Sequence, residues 1–117
     1  MIYEMTKKMF EEKIANLSAE EWKFLGDKPV LLDFWTSWCS PCRIITPILE
    51  DLTEEYKGKI DIYKVNAEEV LELTEKFNIQ TVPSLIFIPI NDEPHIIQGT
   101  ISKIKFIEQF KELFNIN

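Results

Sequence analysis

Both cysteines of this chain fall within Trp38-Cys39-Ser40-Pro41-Cys42. A C-x-x-C pair suits redox chemistry when it sits where a strand ends and a helix begins. There the first sulfur meets unpaired backbone N–H groups and the positive end of a helix dipole, and both favour a thiolate. A free thiol titrates near pH ~8.5, and this placement brings it down to roughly 7 or below. The second sulfur, three positions on, is close enough to close a small disulfide ring. The plain alternative is two inert buried thiols, since cysteine behaves as a small hydrophobe. Trp38, Ser40 and Pro41 at a strand-to-helix junction argue against inertness. Structural zinc needs four ligands, and the chain offers two cysteines and one histidine, His95, which reads as a surface loop residue.

Asp33 is the second chemistry-bearing position. It interrupts an apolar run six residues before Cys39, where a charge is costly. Period-two counting puts it on the side of Leu31 and Trp35. Burial would raise its pKa and make it a base near neutral pH; a strand-edge carboxylate satisfied by solvent is the competing reading. Thr81-Val82-Pro83 before a strand fits a cis proline, for which the cost is far lower than at other residues. A trans proline at a strand's first residue also obeys the sheet rules.

The elements that must position these residues follow from periodicity. Residues 6–17 carry Phe10, Ile14 and Leu17 at helical spacing, and Ser18-Ala19-Glu20-Glu21 has the capping-box form of a second short helix through Trp22 and Leu25, stopped at Gly26. Residues 29–35 form a nearly continuous apolar run that suits a strand buried on both faces. Pro41 opens a helix expected to bury Ile44, Ile45, Ile48, Leu49 and Leu52 and to kink at Pro47. Lys57-Gly58-Lys59 is a turn, residues 60–65 alternate as a strand, and residues 67–77 read as a helix with Val70, Leu71, Thr74 and Phe77 on one side. Residues 84–88 form another buried strand, residues 95–98 pair back as a hairpin ending at Gly99, and Phe106, Ile107, Phe110, Leu113 and Phe114 stripe a final helix. A first strand should lie within residues 2–4. Alternating βα units followed by a hairpin imply parallel pairing early and antiparallel pairing late.

Composition bounds the rest. The chain has 117 residues, 45% of them hydrophobic, which is enough for one domain over 1–117 with a real core and argues against disorder. Its net charge of −7 repels nucleic acid and anionic membranes. No signal-peptide pattern and no apolar stretch near the ~20 residues of a membrane span is visible, so the expected compartment is the cytoplasm. A reducing compartment disfavours a structural disulfide and points the cysteine pair toward catalysis or metal binding.

In Val30-Leu31-Leu32-Asp33-Phe34-Trp35, Trp38-Cys39-Ser40-Pro41-Cys42-Arg43, Thr46-Pro47-Ile48-Leu49, Thr81-Val82-Pro83-Ser84 and Gln98-Gly99-Thr100, taken in that order, the chain resembles the thioredoxin family. The resemblance implies an α/β fold, a central mixed sheet with helices on both faces, and reduction of protein disulfides by thiol exchange. Cys39, first and at the helix start where solvent can reach it, is the expected nucleophile. Cys42, one turn inward and shielded, is the expected resolving thiol. The family places Asp33 beneath Cys42, where it accepts or relays that proton. Lys64 is the implied charge partner of Asp33, or else a solvated lysine. Trp38 is expected beside the sulfurs, or is simply a surface aromatic. Ser40 and Pro41 tune potential and partner fit. A cis Pro83 would face the cysteines, leaving the Val82 backbone to pair with a substrate strand, and Gly99 would let a peptide approach.

The implied partners are disulfide-containing proteins and a separate thioredoxin-reductase-like protein, with the chain a monomer. With no glycine-rich dinucleotide fingerprint, the chain itself should hold no flavin or nicotinamide. Several positions depart from the family pattern. Ser40 replaces glycine, Arg43 replaces lysine, Asn91-Asp92-Glu93-Pro94 replaces asparagine-glycine, and residues 15–28 are longer than the family needs. The rival reading is a redox-switched binding module that uses the groove around Val82-Pro83. A further one is a metal or cluster shared across a dimer through Cys39 and Cys42.

Overall fold

The apolar run after Pro29 becomes the central strand, and the rest of the chain is arranged around it. The computed structural model describes residues 2–117. In chain order the elements are β1 (Tyr3–Glu4), α1 (Lys7–Lys13), β2 (Val30–Trp35), α2 (Ser40–Glu55), β3 (Asp61–Asn66), α3 (Leu71–Lys76), β4 (Ser84–Ile88), β5 (His95–Gln98) and α4 (Lys103–Phe114). The strands stand in the order β1-β3-β2-β4-β5. β1, β3 and β2 run parallel, β4 is antiparallel to β2, and β5 is antiparallel to β4. This is the expected mixed sheet with helices on both faces.

The period-two alternation of β2 and β4 divides the interior in two. Val30, Leu32, Phe34, Ile86 and Ile88 pack with Phe10 of α1, Leu73 of α3, Ile14 and Phe77. On the opposite face Leu31, Leu85 and Phe87 meet Ile45, Leu49 and Leu52 of α2 and Phe106, Phe110 and Phe114 of α4. Thr6 caps α1 by accepting the Met9 N–H at 3.1 Å, and Ser102 caps α4 by accepting the Lys105 N–H at 3.1 Å. Gly58 takes φ +82 in the turn after α2, a conformation that side-chain-bearing residues avoid.

Three expectations are corrected. Residues 18–25 form no helix. The Asn16 side chain accepts the Ser18 N–H at 2.9 Å and sets a turn there, and so short a stretch cannot offset helix nucleation by itself. The segment runs instead as a strap: the Leu25 N–H bonds to the Ile14 carbonyl at 2.8 Å, and Leu17, Trp22 and Phe24 lie on the first core. α3 starts at Leu71 rather than at residue 67, because Asn66 takes the Glu68 N–H on its side chain and the Glu69 and Val70 N–H groups on its carbonyl. Leu71 is exposed as a result. In α2 the buried stripe is Cys42, Ile45, Leu49 and Leu52, and Ile44 is left 67% exposed. α2 itself runs unbroken through Pro47.

That face assignment is directly testable by urea denaturation. Leu49→Ala should cost about 2–5 kcal/mol as a core truncation, and Ile44→Ala less than about 0.5 kcal/mol as a surface change. Equal losses at the two positions would contradict the packing.

Candidate active site

At the end of β2 the chain passes through residues 36–38 straight into α2, and Cys39 is the N-cap of that helix. The first turn of a helix presents backbone N–H groups with no internal partner. Pro41, in that turn, has none to present. The Cys42 N–H turns to the Cys39 Sγ at 3.2 Å, so a sulfur fills the place usually taken by a serine or aspartate oxygen. The Cys39 N–H is itself held by the Thr36 carbonyl at 3.3 Å. Arg43 reaches back to the Ser37 carbonyl at 3.0 Å and ties the helix start to the loop before it. Cys39 and Cys42 are joined as a disulfide, with their Cα atoms 5.3 Å apart.

The expected contrast between an accessible first sulfur and a shielded second one is absent from this oxidised state. Cys39 is 3% exposed and Cys42 4%. What separates them is their place on the helix. Trp38, next to Cys39 in the chain, is 66% exposed. Ser40 and Pro41 beside it are also exposed.

The sheet register brings the remaining expected residues to the same end. Phe34 near the end of β2 opposes Ser84 at the start of β4, and Ser84 in turn opposes Gln98 at the end of β5. Pro83 and Gly99, one residue beyond those strand ends, therefore lie at the end of the sheet from which β2 leads to Cys39. The Val82–Pro83 peptide is cis. Pro83 is buried and Val82 half-buried, and the Pro83 carbonyl accepts the Gly99 N–H at 2.8 Å. Gly99 has φ +87, and the space where a Cβ would stand is open. The turn that joins β4 to β5 covers residues 89–94, longer than a two-residue hairpin.

Asp33 is fully buried, and neither carboxylate oxygen has a hydrogen-bond partner among the described residues. Burial pushes its pKa up to about 7, with the Lys64 charge opposing and the Glu4 charge adding to the rise. Lys64 is its register neighbour on β3. Its ammonium lies over the Trp35 ring, 4.8 Å from the centroid, and not on the carboxylate. A pocket of about 90 Å³ is lined by Trp35, Thr36, Ser37, Cys42, Arg43, Thr46 and Lys64, so Cys42 and Lys64 share one cavity wall. Three members of this neighbourhood went unassigned in the sequence: Thr36, whose buried hydroxyl lacks a partner among the described residues; Trp35; and Glu4. Only strand register could have pointed to Glu4. Among the described residues no group of three or more His, Cys, Asp and Glu could hold a metal ion, and no helix is long and apolar enough to cross a membrane.

A C-x-x-C disulfide at a helix N-cap, at the end of the central strand of a mixed sheet whose same end carries a cis proline, defines a thiol–disulfide oxidoreductase. Comparison with known proteins agrees. The thioredoxin family profile matches residues 1–112. The thioredoxin of Borreliella burgdorferi is 31% identical over 115 residues, covering 97% of this chain and 98% of that protein. The thioredoxin of Rickettsia bellii is 32% identical over 108 residues, covering 92% and 94%. A chloroplastic M-type thioredoxin of Pisum sativum is 34% identical over 103 residues, 87% of this chain but 60% of that longer protein. The chain belongs to the thioredoxin family.

The buried carboxyl gives a pH-dependent stability of definite sign. Its folded pKa of about 7 stands above the ordinary 3.8, so between those values the folded state holds more protons than the unfolded state. Stability from this group is complete below about pH 4 and is lost as pH rises through 7, by roughly 4 kcal/mol in total. Asp33→Asn should therefore unfold at higher urea than the parent at pH 8.5, with the advantage gone at pH 4. An advantage of the same size at both pH values would mean that the carboxyl does not titrate this way.

Proposed function

We propose that Cys39 attacks and Cys42 resolves, in a protein-disulfide reductase whose proton is carried by Asp33. The Cys39 thiolate attacks one sulfur of a partner disulfide. A Cys39–partner disulfide forms and one partner thiolate leaves. The Cys42 thiol passes its proton to the Asp33 carboxylate and attacks the Cys39 sulfur. The intrachain disulfide closes and the second partner thiolate leaves, so two electrons have moved from this chain to the partner. The observation that carries the assignment is the Cys42 N–H donated to the Cys39 sulfur at the helix cap. A hydrogen bond to the charged form favours it, and only one of the two sulfurs receives it.

Lys64 is proposed as the cation that steadies the Asp33 carboxylate once it ionises; its register position supports this. Trp38, Ser40 and Pro41 would meet the substrate on one side of the disulfide, and Val82, Pro83 and Gly99 on the other. Support comes from the exposure of the first three and from the open space beside Gly99. Residues 1–117 are proposed to act as one domain, since both cores share a single sheet, and as a monomer. The proposed substrates are disulfide-containing proteins. A separate reductase would restore the dithiol, in a reducing compartment such as the cytoplasm.

Insulin reduction with dithiothreitol tests the assignment. Cys39→Ser should abolish turnover, and Cys42→Ser should accumulate a mixed disulfide visible on a non-reducing gel. Asp33→Asn should slow resolution near pH 7 by on the order of 10–100-fold, as expected when a positioned proton carrier is lost. Alkylation of the reduced protein at neutral pH should label Cys39 well ahead of Cys42. Labelling of both at the rate of ordinary surface thiols would remove the assignment.

A further inference from the structure

The charges around Asp33 form a row rather than a pair. Glu4 of β1 is in register with Lys64 of β3, and Lys64 is in register with Asp33 of β2. Register neighbours on adjacent strands point to the same face, with strands ~4.8 Å apart. In the register one lysine therefore stands between two acidic residues. The row is braced through Trp35, whose indole N–H donates to the Glu4 Oε1 at 3.1 Å while the Lys64 Nζ rests 4.8 Å from the ring centroid. With its N–H held, the ring has a fixed face on which the ammonium sits, and a cation over indole gains from the ring quadrupole.

We propose that Glu4 is a positioning residue for the redox site: through Trp35 and Lys64 it sets how much of the lysine's charge reaches Asp33. It touches neither sulfur. A negative charge on the far side of Lys64 offsets part of the cation's pull on Asp33, so Asp33 keeps its proton to a higher pH than Lys64 alone would allow. The direction agrees with the Glu4 contribution to the Asp33 shift. From α2, Cys42 and Arg43 line the pocket that Lys64 and Trp35 share, and in the oxidised state Cys42 is held in the disulfide. β4 brings the uncharged Leu85 opposite Asp33, and the side chains packed with Leu31 and Leu85 on that face, Phe106 and Phe110 of α4 among them, are apolar. The consequence for function rests on Asp33 being the proton acceptor for Cys42.

The test is a ¹³C titration of the Asp33 carboxyl in the oxidised full-length protein, paired with the pH profile of mixed-disulfide resolution. Glu4→Gln keeps an oxygen that can accept the Trp35 N–H and removes only the charge. It should lower the Asp33 midpoint by roughly 0.3–1 pH unit and move the resolution profile in the same direction. Glu4→Asp, which keeps the charge, should recover most of the parent midpoint. In an Asp33→Asn background, Glu4→Gln should leave the resolution profile unmoved. A midpoint that stays in place or rises in Glu4→Gln overturns the proposal, as does a profile shift that persists without Asp33. If the midpoint falls but Asp33→Asn resolves at the parent rate, the coupling of Glu4 to Asp33 stands and the proton-carrier reading of Asp33 is what fails.

Discussion

The structure depends on one junction, where β2 stops being a strand and α2 begins being a helix within four residues. The donors of a helix's first turn need an acceptor, and at this junction the acceptor is a sulfur. For the sulfur to stay there, the strand before it and the helix after it must both be immobile. The two cores supply that. Alternate residues of β2 are gripped from opposite faces, Val30, Leu32 and Phe34 by one cluster and Leu31 by the other, while Ile45, Leu49 and Leu52 clamp α2 to the sheet. Thr36 and Arg43 fasten the junction itself, on the backbone N–H of Cys39 and the carbonyl of Ser37.

The same sheet carries a group that weakens it. An uncompensated carboxyl in the interior is among the costlier features a small domain can hold, and among the described residues Asp33 has no hydrogen bond to offset its burial. Its β-strand position leaves it no freedom to turn toward solvent. The face it shares with Leu31 is the face on which α2 packs, so the carboxyl is directed to the side of the sheet that carries Cys42. A residue placed for stability alone would be apolar, as are Leu31, Leu32 and Phe34 around it. A carboxyl whose proton is exchanged near pH 7 suits the proton-accepting role proposed for Asp33.

Much of this was legible in the residues because the governing signals are local. The apolar run after Pro29, the alternation at residues 84–88 and the aromatic stripe of α4 each declare their element without help from distant parts of the chain. The departures arose where two local signals competed or where the answer was not local. Asn16 and Asn66 each took up backbone N–H groups that the periodicity had assigned to helices. Ile44 is adjacent to the buried stripe of α2 without belonging to it, since one helical step turns the side chain by about 100°. Residues 15–28 contain the apolar side chains of a helix face but use them as an extended cover over the first core. Glu4 could not have been assigned at all: its strand has two residues, and its meaning comes only from standing across β3 from Asp33.

The disulfide also changes what asymmetry between the cysteines must mean. Since Cys39 and Cys42 are buried to nearly the same degree, exposure does not distinguish them in this state; their place on the helix does. Cys39 is the cap, and it accepts the Cys42 N–H at the positive end of the helix dipole. Cys42, three residues into α2, spends its N–H on its neighbour and borders the pocket shared with Lys64. One environment therefore favours an anion on the first sulfur. The other places Cys42 on the wall of the pocket that Lys64 also lines, and Lys64 is the register neighbour of Asp33. The proposed order of attack, Cys39 first and Cys42 second, therefore rests on the unequal surroundings of two equally covered residues.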